Sequence, residues 1–239
     1  MATTITILNS LQWLAGLIVQ RPTTGIGGVT GEPALTSANK IIATIVAPPF
    51  AWSWNRKVLP AAITTAIGTQ DYPISLSDFG WLEKATGNAS TASPQSFELE
   101  VYGNIGTDTQ QARPRIITVH IDDNAGNITF RLFPVPDAVY TITLTYQKAP
   151  VLASATSSNW APIPDKLSFL YEQGLLAHMQ GIYSIPAYLQ GMQFFFRQLI
   201  GAAEGLTETQ RAIFLEDSIR QLQTSALAQQ AVQGSPKRG

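Results

Sequence analysis

Cysteine is absent from the 239 residues, so neither disulfides nor thiolate metal sites can hold this chain together. Charge is also scarce. Only 13% of residues are charged, about half of the usual quarter, which leaves little of the interspersed charge that keeps a solitary monomer dispersed. Much of the surface is therefore expected to be covered by neighbouring subunits. The 15 Lys and Arg are matched by 16 Asp and Glu for a net charge of -1, and no basic run occurs. Lys237-Arg238 is too small a cluster to neutralise a phosphate backbone, so nucleic-acid binding is not the main task. Long apolar runs are missing too. The stretch Ile5 to Val19 is broken by Asn9, Ser10, Gln12 and Gly16, short of the roughly 18 uninterrupted residues a membrane span needs. No Lys or Arg precedes it and no clean small-residue cleavage site follows, so no secretory signal is expected.

What is present is a 45% hydrophobic chain, enough for one large domain or two small ones. The N-terminal part reads as two helices, over about 4–20 and 33–46. Pro33 suits a first helical turn, and Pro48-Pro49 cannot continue a helix. Leu8, Leu11, Ala15 and Ile18 form one stripe of the first helix, while Ile7, Leu14 and Leu17 spread apolar character around it, so this helix is expected to be buried from several sides. The segment 21–31, with four glycines and a proline, reads as a loop.

From about Val58 to Lys148 the period changes to strict alternation, the mark of half-buried strands. Phe97, Leu99 and Val101 alternate with Glu98, Glu100 and Tyr102. Ile117, Val119 and Ile121 alternate with Thr118 and His120, and Ile128, Phe130 and Leu132 with Thr129 and Arg131. Tyr140, Ile142, Leu144 and Tyr146 alternate with Thr141, Thr143 and Thr145. The turn residues of Asp122 to Asn127 make 115–133 an antiparallel hairpin, and a sandwich or open barrel follows.

Helices return after the proline-bracketed crossing Trp160 to Asp165, where Asp165 is expected to cap the next helix, 165–180. A second starts after Ser184 and is stopped by Gly205. A third opens on the capping box Thr207-Glu208-Thr209-Gln210. The polar, Ala-rich residues from about Gln223 to Gly239 are expected to be disordered in the isolated subunit and to order against a partner. The fold class is thus α+β: a helical bundle built from both ends of the chain, with an inserted antiparallel β domain. The parts are residues 1–50, the β insertion 51–160, the returning helices 161–232 and a flexible tail 233–239.

The titratable and nucleophilic residues offer no pattern that points to catalytic chemistry. His120 lies on an alternating strand and His178 in a helix with mostly apolar neighbours, and neither has a metal-type partner in sequence. Asp122 to Asn127 lacks the alternating oxygen ligands and distal Glu of a calcium loop and reads as a turn. Gly25-Ile26-Gly27-Gly28 follows a helix, not a strand, and has no Lys-Ser or Lys-Thr behind it, so it is no phosphate cradle. Glu98 and Glu100 share a strand face that reads as solvated. No enzyme activity, metal or cofactor is expected.

One segment is distinctive. Asn39 to Arg56 is a helix followed at once by Phe50, Trp52, Trp54, Asn55 and Arg56. With Gly68-Thr69-Gln70-Asp71-Tyr72, Phe79 to Ala85, Arg113-Pro114, Pro134 to Asp137, Tyr146-Gln147-Lys148 and Ile163-Pro164-Asp165, it resembles bacteriophage head-to-tail adaptor (connector) proteins of the podophage tubular-protein type. The resemblance implies a structural virion protein at the head-tail junction, made in the host cytoplasm. It implies a closed homo-oligomeric ring beneath the portal protein, twelve copies by symmetry with the portal. DNA would pass through the ring's channel without sequence-specific binding, and a tail or nozzle protein would meet the β domain. Phe50, Trp52, Trp54, Arg56, Phe79, Trp81 and Trp160 are the candidate interface residues, Trp and Arg being the residues that dominate such patches; their alternative reading is internal core. Trp54 and Arg56 are expected to lock the two parts or adjacent subunits. Alternative functions are another tail ring subunit (terminator, nozzle or baseplate) and a carbohydrate-binding β module in adhesion.

Overall fold

The computed structural model of the chain describes residues 3–18, 34–89, 95–107, 109–123, 126–181 and 184–233. The glycines at 25–28, the loop at 21–31 and the end of the tail, 234–239, lie outside the described residues. The chain divides into two compact units, Met1–Trp54 with Pro150–Gly239, and Asn55–Ala149. This is the expected α+β arrangement of helices with an inserted β unit.

The helical unit contains α1 (Ile7–Ile18), α2 (Ala34–Val46), a 3-10 turn at Asp165–Leu167, α3 (Ser168–Gly181), α4 (Ile185–Ala202) and α5 (Glu208–Gln233). Helix α1 begins where Thr6 and Asn9 satisfy each other: each backbone amide donates to the other's side-chain oxygen at 3.1 Å, a capping-box arrangement with Asn in place of Glu. Helix α1 is not buried all round. Ile7, Ser10, Leu11 and Leu14 are buried, whereas Leu8, Gln12 and Trp13 are exposed on the opposite face. Apolar residues outnumber the positions α2 and α3 can cover, so the surplus faces outward.

Asp165 also differs from expectation. It does not cap its own helix, since no side-chain cap hydrogen bond is made there. Its carboxylate instead accepts from the Thr4 amide at 2.9 Å, the Thr4 hydroxyl at 2.7 Å and the Ile5 amide at 3.2 Å, pinning the start of the chain to the start of the C-terminal helices. Those hydrogen bonds hold the Asp165 carboxyl below its ordinary range.

Ser184 caps α4 by accepting from the Ala187 amide at 3.3 Å, and the Thr207/Gln210 box opens α5 as expected. Helix α5 runs through Gln233, so residues 223–233 are helical and not disordered. They are rich in Ala and Gln, which lose little on entering a helix. Arg211 folds back from the first turns of α5 onto the end of α4. Its guanidinium donates to the carbonyls of Ile200 at 2.5 Å, Gly201 at 2.9 Å, Ala203 at 3.0 Å and Leu206 at 3.3 Å. These include acceptors that α4 leaves unpaired.

In the β unit, β1 (Arg56–Thr64), β2 (Asp71–Ser75), β3 (Phe79–Ala89), β4 (Gln95–Val101), β6 (Ile116–Asp122), β7 (Asn127–Phe133) and β9 (Tyr140–Lys148) form one sheet in the order β1-β9-β3-β4-β6-β7-β2. The short strands β5 (Gln111–Ala112) and β8 (Val135–Pro136) pair separately. The expected hairpin is present as β6–β7, closed by Asp123, whose carboxylate accepts from the Asn127 amide at 3.0 Å. Within the seven-stranded sheet all pairings are antiparallel except β4–β6, which is parallel; the separate β5–β8 pair is parallel too. The long 102–115 connection carries the chain back so that β6 runs in the direction of β4.

The sheet curls into an open barrel. Phe79 of β3 meets Phe130 of β7 edge-on at 5.8 Å, although β4 and β6 lie between them. In a flat sheet, with strands about 4.8 Å apart, these strands would be separated by roughly 14 Å. The core takes Ile63, Leu82, Leu99, Ile117, Phe130, Leu144 and Tyr146 from strands across the whole sheet. Ile121 is exposed, not inward as its place in the alternation predicts. A register shift between Val119 and Ile121 inserts a residue, and a one-residue slip sends every later side chain to the other face. At Gly87 the Phe97 ring of the paired strand occupies the space a Cβ would need. The outermost strands each carry a proline, Pro60 in β1 and Pro73 in β2. β1 also has a register shift between Leu59 and Ile63, with Ala61 at φ 52°.

Candidate assembly interface

The seven residues singled out in the sequence fall into two groups, one in each unit. Phe50, Trp52, Trp54 and Trp160 belong to the helical unit. Phe50 and Trp52 are buried in its core. Trp52 Nε1 donates to the Ile45 carbonyl at 2.6 Å, tying the segment to the last turn of α2, and its ring stacks on Trp54 at 5.5 Å. The strand-like stretch is held from the other side by Glu204, whose carboxylate accepts from the Ser53 amide at 3.0 Å and the Ser53 hydroxyl at 2.9 Å. Trp54 is half-buried, and its Nε1 is a buried donor with no hydrogen-bond partner. Trp160 is fully buried, stacked on Tyr171 at 4.4 Å, with Nε1 donating to Ser10 Oγ at 3.0 Å. That one side chain joins α1, the proline-bracketed crossing and α3.

Arg56, Phe79 and Trp81 belong to the β unit. Arg56 makes a two-pronged bond to Glu83, Nε to Oε2 at 2.9 Å and Nη2 to Oε1 at 2.5 Å, and Gln147 donates to the same carboxylate at 2.6 Å. Phe79 is buried against Phe130 and Tyr146. Trp81 is half-buried on β3 opposite Gln147. Four of the seven residues, Phe50, Trp52, Phe79 and Trp160, are therefore core.

Sequence reading missed several polar pairs. Arg131, buried on β7, is held by Asp71 at 2.7 and 2.8 Å. The Arg131 hydrogen bonds keep the Asp71 carboxyl below its ordinary value against the opposing effect of burial. Asp78 accepts from the Tyr146 hydroxyl at 2.6 Å and from Lys57 at 2.9 Å. Burial works to raise its pKa, but those bonds outweigh it and leave it lowered. Strand alternation marks Asp71 and Arg131 only as polar, and nothing in the sequence pairs residues 60 positions apart.

The two histidines lie in different units. His120 is exposed on β6. His178 packs edge-on against Tyr188 at 5.5 Å, and burial, then nearby Lys40, holds its pKa below 6.5. Among the described residues no group of three or more His, Asp or Glu is placed to hold a metal ion. No described helix is long and apolar enough to cross a membrane.

The decisive comparison is with protein families. A family model described as SU10 adaptor protein matches residues 34–229, from the start of α2 into the last turns of α5. The chain belongs to the SU10 adaptor protein family. It is a phage head-to-tail adaptor with a structural role, and its place is the head-tail junction of the virion. The family is structural and not an enzyme class. No curated protein matches the adaptor in sequence. The match takes in both units of the adaptor and leaves α1 outside it.

Proposed function

We propose that the adaptor assembles as a closed ring of twelve copies beneath the portal protein and extends the DNA channel. In this reading α5 docks on the portal and the β unit meets a tail or nozzle protein. The observation that carries the proposal is the form of α5 within an adaptor-family chain. It is 26 residues long, about 39 Å at 1.5 Å per residue. Phe214, Leu215 and Leu222 pack against the helical core, while Ile213, Glu216, Asp217 and Arg220 are exposed. Such a helix is anchored by its first turns and offers the remainder to a partner. The near-balance of 15 basic and 16 acidic residues suits a channel wall that DNA slides past, since tight phosphate contacts would hold it. Trp54 and Arg56 stand on either side of the point where the chain leaves one unit for the other, and we assign them to contact with adjacent subunits.

The test is the mass of the purified adaptor, alone and mixed with the cognate portal, by native mass spectrometry. A stoichiometric complex carrying twelve adaptors per portal ring, lost on deletion of residues 223–239, is expected. A chain indifferent to the portal under all conditions would overturn the proposal.

A further inference from the structure

We infer that the exposed face of α1 is the knob of a head-to-tail contact, with Trp13 of one copy seated in the α3–α4 groove of the next. This rests on the ring reading above and names the surface that closes it. Of the five tryptophans, Trp13 alone is exposed, at 49%; the others are buried or half-buried within their units. Leu8, Gln12 and Trp13 lie together on α1, a helix without a single charged residue. The opposite face is fixed by Ile7, Leu11 and Leu14 in the core and by the Trp160 bond to Ser10. The indole is thus presented on a held element at small cost in ordering, the condition under which aromatic side chains become binding anchors.

The receiving site is a cavity of about 520 Å³ along the seam of α3 and α4. Such a volume accepts a large side chain together with its neighbours. Gly191 lines it at a point where the two helices pack closely: a Cβ there would lie 2.7 Å from the Cβ of Ala177. Its walls carry Gln173, Gln180, Gln190 and Gln193, with Phe194 and Arg197. These suit an indole. Its face can lie under the Arg197 guanidinium, its edge against the exposed Phe194 ring, and its N–H can donate to a glutamine carbonyl. Arg197, the one charged residue lining the cavity, is exposed, so its guanidinium can cover the indole face while its outer edge stays in water. Knob and groove are made by different helices of one compact unit, so each copy offers one of each. Contacts of that kind are heterologous and propagate until they close in a ring.

The absence of native cysteine makes crosslinking a clean test. The double variant Gln12→Cys/Gln190→Cys, which keeps Trp13, assembled with portal and mildly oxidised, is expected to give a ladder of covalent oligomers beyond the dimer, and either single variant none. Trp13→Ala is expected to weaken ring assembly on the order of thirtyfold, as for a central aromatic anchor, while the thermal midpoint of the isolated subunit stays put. A ring that forms with portal but shows no crosslink, gives dimers only, or tolerates Trp13→Ala overturns this inference and leaves the ring reading standing. If the unmodified chain forms no ring at all, both fall.

Discussion

Trp160 shows how much of the helical unit depends on single side chains. Its ring is enclosed between α1 and α3, and its indole N–H satisfies the otherwise buried hydroxyl of Ser10. Truncation leaves a cavity and an orphaned polar group together, so Trp160→Ala is expected to destabilise the subunit by about 3–5 kcal/mol, measurable by urea unfolding. Titration gives a second expectation. The His178 pKa is lowered on folding, so the unfolded chain binds the proton more readily and stability falls as pH drops through the unfolded value near 6.5. The depressed Asp71 and Asp78 carboxyls contribute stability that is complete above the ordinary carboxylate range, about 3.9. That contribution is lost as pH falls below it. A stability profile with two acid-side declines is expected, the upper one abolished in His178→Gln; a flat profile between pH 7 and 5 would refute the assignment to His178. At this scale the sequence was legible where a residue's role is to be apolar. Phe50, Trp52, Phe79 and Trp160 announced themselves as large and buried, but residue type alone could not say whether they faced a partner or a core. Trp13 has the same chemistry but sits on a helix expected to be buried from several sides, and nothing in its residue type shows that it faces outward.

Among elements, α4 and α5 are joined by something no local pattern reveals. Arg211 stands five residues beyond the loop at Leu206 and spreads its guanidinium over four carbonyls around the end of α4. Lysine offers a point charge without that fork. Arg211→Lys should therefore cost about 1–2 kcal/mol and Arg211→Ala more, with amide exchange accelerating through α5 while α2 and α3 stay protected. Equal acceleration in α2 would mean that Arg211 supports the whole unit instead. Helix ends governed by nearest neighbours, such as the Ser184 cap and the Thr207/Gln210 box, were readable because the partners are three residues apart. Asp165 was misread for the complementary reason: the amides it accepts from are those of Thr4 and Ile5, at the far end of the chain. The strands were legible wherever alternation is unbroken, as in Tyr140 to Tyr146. Alternation failed at Ile121, where an inserted residue reverses it, and it carries no information on the parallel pairing of β4 with β6.

For the molecule as a whole, the order helix, strand, helix was in the sequence because the hydrophobic period itself changes near residues 58 and 148. What assembles with what was not, since surfaces leave weaker marks on a sequence than cores do. The irregular edge of the sheet bears on timing. An adaptor subunit has to stay dispersed and folded until it is built into the virion. A straight outer strand would offer every waiting copy a place to add its own sheet. Pro60 withdraws a donor from β1, and the register shift with Ala61 in a left-handed conformation breaks the ladder into pieces too short to extend. Strand exchange is thereby shut off as a route to premature polymer.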